Sequence, residues 1–317
     1  VSRMKIFGGK SCEALTAAVV ACMSADMQVG KMKVKRFSDG EPHAAILENV
    51  RKADIYYIQS TCAPVGENLL EALVTMDAFR RASVRSITAV LPYFGLARQD
   101  RKAVPRTPIS AKVATDVLVN GGAARLVSVD LHAAQIQGFT NVPFDNLEAK
   151  KVMVEGHLRD RYRGCVVVSP DAGGTERARW YSKEIPGSTL ALIDKRRDQT
   201  VSNKSEVMNI IGDVKGRRCL IVDDMIDTAG TLVNAANALI GAGAESVAAS
   251  ATHLVLSGPA VARVSESPLV EVIGTDTVSL SPEAQASGKF SIVSIAPLLA
   301  EAIKRIHRGD SVSSLFV

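Results

Sequence analysis

The segment Cys219-Leu-Ile-Val-Asp-Asp-Met-Ile-Asp-Thr-Ala-Gly-Thr231 begins as a strand and ends as a helix. An apolar run stops at two adjacent carboxylates, Asp223 and Asp224, small residues form a turn, and a helical pattern starts near Thr231. In an open parallel sheet, that order marks the carboxyl edge of a strand, where ligands bind. The backbone amides of Asp227, Thr228, Ala229, Gly230 and Thr231, with the two threonine hydroxyls, suit a phosphate at the helix N-terminus. Neighbouring carboxylates are costly to bury unless hydroxyls or a cation meet them, so Asp223 and Asp224 suit a sugar diol together with Mg²⁺. An acidic helix cap would account for the carboxylates but not for the whole string.

Working outward, short apolar runs alternate with helical patterns along the chain. Ile55 to Ile58, Ile87 to Leu91, Leu126 to Val129, Cys165 to Val168, Cys219 to Val222 and Val247 to Ala251 read as strands covered on both faces. The expected fold class is α/β, with mostly parallel sheets flanked by helices. The halves echo each other: strand Ile55 to Ile58, helix Asn68 to Ala82 and strand Ile87 to Leu91 match strand Cys219 to Val222, helix Thr231 to Ala242 and strand Val247 to Ala251, with Gly66 and Gly230 in the intervening loops. Two tandem domains are expected, 1–148 and 149–304, with 305–317 joining the first. A last helix follows Ser294, with Pro297 in its first turn and Gly309 at its end; Lys304, Arg305, His307 and Arg308 complement its dipole.

Composition limits the function classes. The 317 residues are 47% hydrophobic and 22% charged, which describes a folded two-domain protein rather than a disordered one. A net charge of +5, dispersed along a chain with 4% aromatic residues, argues against nucleic acid and fits small anionic ligands. The five cysteines form no CxxC pair and read as reduced buried thiols, and no apolar run is long enough for a membrane span. A cytoplasmic location is expected, with a removed organelle transit peptide left open. Gly9-Lys10-Ser11 imitates the end of a P-loop, but Met4 stands where its first glycine belongs.

Other segments carry chemistry. Ala97-Arg98-Gln99-Asp100-Arg101 offers a guanidinium that can fork onto phosphate oxygens. In Val129-Asp-Leu-His132, strand alternation would put Asp130 and His132 on one side, toward a metal or a phosphate. In Val168-Ser-Pro-Asp-Ala-Gly-Gly174, small residues allow close backbone approach to a diphosphate, and Asp171 stands ready for Mg²⁺.

The Asp223 to Thr231 string resembles the ribose 5-phosphate signature of the phosphoribosyltransferase superfamily, where a salvage transferase, a ligand-sensing repressor or a synthetase can carry it. Nearly end to end, the chain resembles the ribose-phosphate diphosphokinases, or phosphoribosyl diphosphate synthetases. That resemblance implies two phosphoribosyltransferase-like domains and transfer of the β,γ-diphosphate of Mg-ATP to C1 of ribose 5-phosphate for nucleotide biosynthesis. Lys195 and Arg197 in Asp194-Lys-Arg-Arg197 are then the catalytic cations. Phe37, Asp39 and Glu41 of Phe37-Ser-Asp-Gly-Glu41 reach a neighbouring subunit's ATP, with Arg98, Gln99 and Asp100 on the nucleotide as well. Asp130, His132 and Asp171 are implied as the metal set, and a homohexamer built from dimers with shared ATP sites as the assembly. Arg51, Gln135, Ser311 and Ser313 are implied to form an allosteric site for inorganic phosphate, a possible activator.

Three departures from the family pattern stand out. The loop 198–205 lacks proline, Leu96 replaces a common aromatic residue, and Asn49 stands two residues before Arg51 where phosphate-activated members have Ser. Losing the proline removes a constraint on φ, so slower or less ordered loop closure is expected. A non-catalytic regulatory homologue and a nucleobase-using phosphoribosyltransferase are the rival readings.

Overall fold

The computed structural model describes residues 3–197 and 206–315, without the side chains of 195–197 and 206–208. It contains fourteen strands in those segments: β1 Met4–Gly8, β2 Met32–Arg36, β3 Pro42–Ile46, β4 Asp54–Ile58, β5 Ser86–Leu91, β6 Arg125–Val129, β7 Phe144–Leu147, β8 Val166–Ser169, β9 Thr189–Arg197, β10 Glu206–Ile211, β11 Arg218–Ile226, β12 Ser246–Leu254, β13 Leu269–Thr275 and β14 Phe290–Val293. Apart from Cys165, which precedes β8, the expected apolar runs lie in strands, with ends shifted by at most four residues. Their alternation with helices is the reason: each parallel crossover needs a helix to bring the chain back.

The chain divides into two units. Unit 1 comprises 1–149, 277–279 and 294–317, and its sheet has the order β1-β4-β5-β6-β7, parallel throughout. Strand β4 is buried along its whole length, as its apolar sequence requires of a central strand. Phe7, Tyr57, Met76, Phe79, Leu91 and Leu118 fill the core between this sheet and helices Val65–Arg81 and Ser110–Asn120. Unit 2 comprises 150–276 and 280–293, with the order β10-β9-β8-β11-β12-β13-β14. All its neighbours run parallel except β10, which returns antiparallel to β9. The second sheet is therefore mixed, with a two-stranded ribbon at one edge.

The C-terminal boundary expected at residue 305 falls at Ser294 instead. The physical cause is the helix Ala296–Arg308, which buries Leu298, Leu299, Ala302 and Ile303 on one face. It packs against helix Glu13–Ala21, so the whole helix belongs to unit 1. Gly309 ends it at φ 81°, a left-handed conformation that glycine adopts without steric cost. Its basic residues also hold it in place: Lys304 Nζ donates to Cys22 O at 2.8 Å, and His307 Nδ1 lies 3.6 Å from the Asp54 carboxylate.

Unit 2 is fastened by a buried acid. The stretch 150–162 includes one π-helical turn, Val154–Leu158, and brings three groups, His157, Arg161 and Tyr162, to Glu271 on β13. Glu271 accepts from Arg161 Nε at 2.9 Å and Tyr162 OH at 2.8 Å, with His157 Nε2 at 3.2 Å and Ser291 Oγ at 2.6 Å. Burial alone would raise its carboxyl, but the hydrogen bonds from Ser291 and Tyr162 and the Arg161 and His157 charges outweigh it and lower it. Replacing Glu271→Ala is expected to cost about 2–3 kcal/mol in urea unfolding, because buried donors lose their acceptor. A depressed folded value means that this stabilisation is present above the ordinary Glu pKa of about 4.3 and is lost as pH falls through the folded value. Acid unfolding of wild type and variant should converge in that range.

Candidate active site

Strands β9, β8 and β11 are parallel neighbours, so their carboxyl ends open onto one edge of the unit 2 sheet. That edge carries three of the sequence-read segments together: Lys195 and Arg197 at the end of β9, Asp171 after β8, and the Asp223 to Thr231 string on β11 and beyond. The β9–β10 register pairs Lys195 with Met208 and Arg197 with Glu206, and the loop 198–205 lies outside the described residues, as do the side chains of the two cations.

Contrary to the expectation that β11 ends at the acid pair, the strand continues to Ile226 because its register with β12 extends to Ile226 opposite Leu254. The turn is therefore short, Asp227 to Ala229, before helix Gly230–Gly241. Ala229 is buried with φ 59° and ψ 1°, an unusual left-handed conformation for a residue with a Cβ. Two bonds hold the turn's carbonyls: Ser257 N–H donates to Asp227 O at 3.1 Å, and Arg263 Nη1 donates to Thr228 O at 2.9 Å.

Asp224 is buried and Asp223 half-buried. Burial first, and then the adjacent Asp224 carboxyl, push the Asp223 carboxyl above the usual range, while the Arg177 charge pulls it down. Arg177 Nη1 lies 3.0 Å from Asp223 Oδ1 and 3.6 Å from Asp224 Oδ1. Sequence reading missed Arg177. Its one local signal is that it follows the Asp171 to Gly174 turn, in the first turn of helix Thr175–Glu184.

Asp171 is exposed, and its Oδ1 accepts from Gly174 N–H at 3.0 Å, which folds the turn between β8 and that helix. A Cβ on Gly174 would come within 2.9 Å of Ser169 Oγ, so the small residue serves close packing here.

Unit 1 holds the other segments. Gly95 N–H donates to Thr61 Oγ1 at 2.6 Å and anchors the chain ahead of Arg98. Ser110 Oγ donates to Gln99 Oε1 at 3.0 Å, and Gln135 Nε2 donates to the Asp100 carboxylate. Strand β6 stops at Val129 and Asp130 turns to φ 42°, so strand alternation does not relate Asp130 to His132. Asp130 Oδ2 accepts from Ala149 N–H at 3.2 Å, and His132 is exposed.

Phe37 to Glu41 form the tip of the β2–β3 hairpin, with Gly40 at φ 94° and Asp39 Oδ1 accepting from Glu41 N–H at 3.1 Å. Phe37 is 48% exposed, its ring braced by Lys35 and the edge of His43. Of the residues read as an allosteric site, Arg51 donates its N–H to Asn49 Oδ1 at 3.0 Å, so Asn49 supplies the acceptor of that turn. Ser311 O accepts from Arg305 Nη1 at 3.0 Å, and Ser313 opens a short 3₁₀ turn. The P-loop imitation is used internally: Lys10 N–H donates to Glu71 Oε1 at 2.9 Å and Ser11 Oγ to Gln59 Oε1 at 2.8 Å.

Among the described residues no three or more His, Cys, Asp or Glu side chains gather as a metal cage. The donors present still fit Mg²⁺, a hard cation that takes oxygen ligands and is commonly held by one or two carboxylates plus substrate phosphates.

Residues 4–122 match the family model described as the N-terminal domain of ribose phosphate pyrophosphokinase, and residues 186–317 match a phosphoribosyl synthetase-associated domain. A ribose-phosphate pyrophosphokinase of Caldanaerobacter subterraneus is 50% identical over 99% of this chain and 98% of its own length. One from Caulobacter vibrioides is 49% identical over 99% of this chain and all of its own length. The crystal structure of phosphoribosylpyrophosphate synthetase from Mycobacterium smegmatis superposes with a TM-score of 0.88 at 38% identity, covering 97% of this chain and 100% of that one. Similarity of this degree along the whole chain, on a shared fold, means that the chain belongs to the ribose-phosphate pyrophosphokinase family.

Proposed function

We propose that this protein transfers the β,γ-diphosphate of ATP to the C1 hydroxyl of ribose 5-phosphate, releasing AMP and forming 5-phosphoribosyl 1-diphosphate. The observation that carries the reading is the shared sheet edge of unit 2, where the Asp171 turn, the end of β9 and the Asp223 to Thr231 loop lie on adjacent strands. The C1 hydroxyl gives up its proton to water as its oxygen attacks the β-phosphorus, the bond from that phosphorus to the α–β bridging oxygen breaks, and AMP leaves with that oxygen. Such a transfer needs positioning and positive charge more than covalent help. Lys195 and Arg197 supply the charge, the amides of Asp227 to Thr231 hold the 5-phosphate, and Asp223 and Asp224 receive the sugar hydroxyls. Arg98, Gln99 and Asp100 bind the nucleotide.

Mg²⁺ would neutralise the phosphates when bound, with Asp171 as the residue to hold it at the unit 2 sheet edge and Asp130 with His132 as the metal residues of unit 1. The exposed Phe37 supports a role for the hairpin tip at a neighbouring subunit's adenine, in a homohexamer built from dimers. Inorganic phosphate activates through Arg51, Gln135, Ser311 and Ser313, and the enzyme works in the cytoplasm. Among the described residues no helix is long and apolar enough to cross a membrane.

The test is AMP formation from ATP and Mg²⁺ with and without ribose 5-phosphate, across a phosphate titration. AMP that depends on ribose 5-phosphate is the expected result, and a flat phosphate curve would remove the activator alone. No AMP under any condition would overturn the transferase reading in favour of a non-catalytic homologue.

A further inference from the structure

We infer that Arg177 is a positioning residue, its guanidinium bridging Asp223 and Asp224 so that both carboxylates stand where they receive the ribose hydroxyls. The inference rests on the ribose 5-phosphate reading of the Asp223 to Thr231 loop.

Adjacent residues of a strand send their side chains to opposite faces, so two neighbouring carboxylates do not converge by default. Here one nitrogen, Arg177 Nη1, lies 3.0 Å from Asp223 Oδ1 and 3.6 Å from Asp224 Oδ1. Asp223 Oδ1 also accepts from Asp224 N–H at 2.8 Å, which folds its carboxylate back along its own strand toward Asp224. The arginine and the backbone thus hold the same oxygen from two directions.

Its location is informative. Arg177 sits in the first turn of helix Thr175–Glu184, where the helix dipole disfavours a cation. The acid pair supplies the compensating interaction. Arg177 lies three residues after the Asp171 to Gly174 turn, so the ion pair ties the start of that helix to strand β11. Arg177 and Asp223 keep 32% and 36% of their side-chain surface exposed, against 9% for Asp224. A ligand can therefore reach Arg177 and Asp223 readily, with Asp224 set more deeply beside them.

The test uses the full-length protein. Ribose 5-phosphate is titrated calorimetrically into wild type, Arg177→Ala, Arg177→Lys, Asp223→Asn and the Arg177→Ala/Asp223→Asn double variant, alongside KM for both substrates and kcat. Arg177→Ala should weaken ribose 5-phosphate binding about 10- to 100-fold, the loss typical of a charge-assisted hydrogen-bonding partner, and leave the ATP KM within about twofold. Arg177→Lys should recover part of the affinity, which also separates the effect from misfolding. If Arg177 acts through Asp223, adding Arg177→Ala to Asp223→Asn should cost little more. Unchanged or tighter ribose 5-phosphate binding in Arg177→Ala, an equal loss toward ATP, or fully additive losses would overturn the inference. Should wild type bind ribose 5-phosphate yet form no AMP, the transferase reading fails and the binding comparison still decides Arg177; wild type that does not bind the sugar phosphate removes both.

Discussion

Replacing Arg197→Ala should lower kcat about 10²- to 10³-fold, the loss seen when one charge-stabilising donor is removed from a transition state, with ribose 5-phosphate affinity nearly unchanged. In the proposed transfer, charge builds on the oxygens around the β-phosphorus only as the C1 oxygen approaches. A guanidinium contributed from the end of β9 therefore acts on the transition state more than on the bound ground state. In the same proposal the sugar phosphate is held by a separate loop, the one that follows β11. Steady-state kinetics with a direct binding titration checks this. Equal losses in kcat and in ribose 5-phosphate affinity would assign Arg197 to substrate binding instead.

A second large effect is expected from one added methyl group. A Cβ on Gly95 would lie 2.1 Å from the backbone oxygen of Thr61, which cannot swing away as a side-chain tip does. The same residue donates its N–H to Thr61 Oγ1 at 2.6 Å, so Gly95→Ala also displaces a buried hydrogen bond. Overpacking of this kind costs about 1–3 kcal/mol, and the lost bond adds to it, so unfolding in urea should shift clearly to lower denaturant. The ATP KM should rise with it, since Arg98 lies three residues on. Gly66→Ala is the matched control: nothing lies within 4 Å of a Cβ there, the residue is helical, and a gain of about 0.4–1 kcal/mol is expected. A Gly95→Ala protein as stable as wild type would mean that the Thr61 backbone yields.

The sequence alone determined the elements whose causes are local. Apolar runs of strand length, the helical spacing of Leu298, Leu299, Ala302 and Ile303, and the turn chemistry around Gly230 are written in near neighbours, and the structure has strands, helix and turn at those places. The segments bearing the candidate site were legible for the same reason. A carboxylate pair at the end of an apolar run, followed by small residues and a helix, is a local signature whatever the rest of the chain does.

What only the tertiary structure decided are the relations between distant residues. The order β10-β9-β8-β11 brings 171, 195 and 223 to one edge, and no local pattern specifies strand order. Arg177 is 46 residues from Asp223, so the ion pair exists only once β8 and β11 lie side by side. The return of the chain at Ser294 depends on what the last helix's apolar face finds to bury, and the left turn at Asp130 overrides the alternation its neighbours suggest. Periodicity and turn chemistry act over a few residues. Strand order, close approach and ion pairing are settled by packing, which joins residues that the sequence keeps far apart.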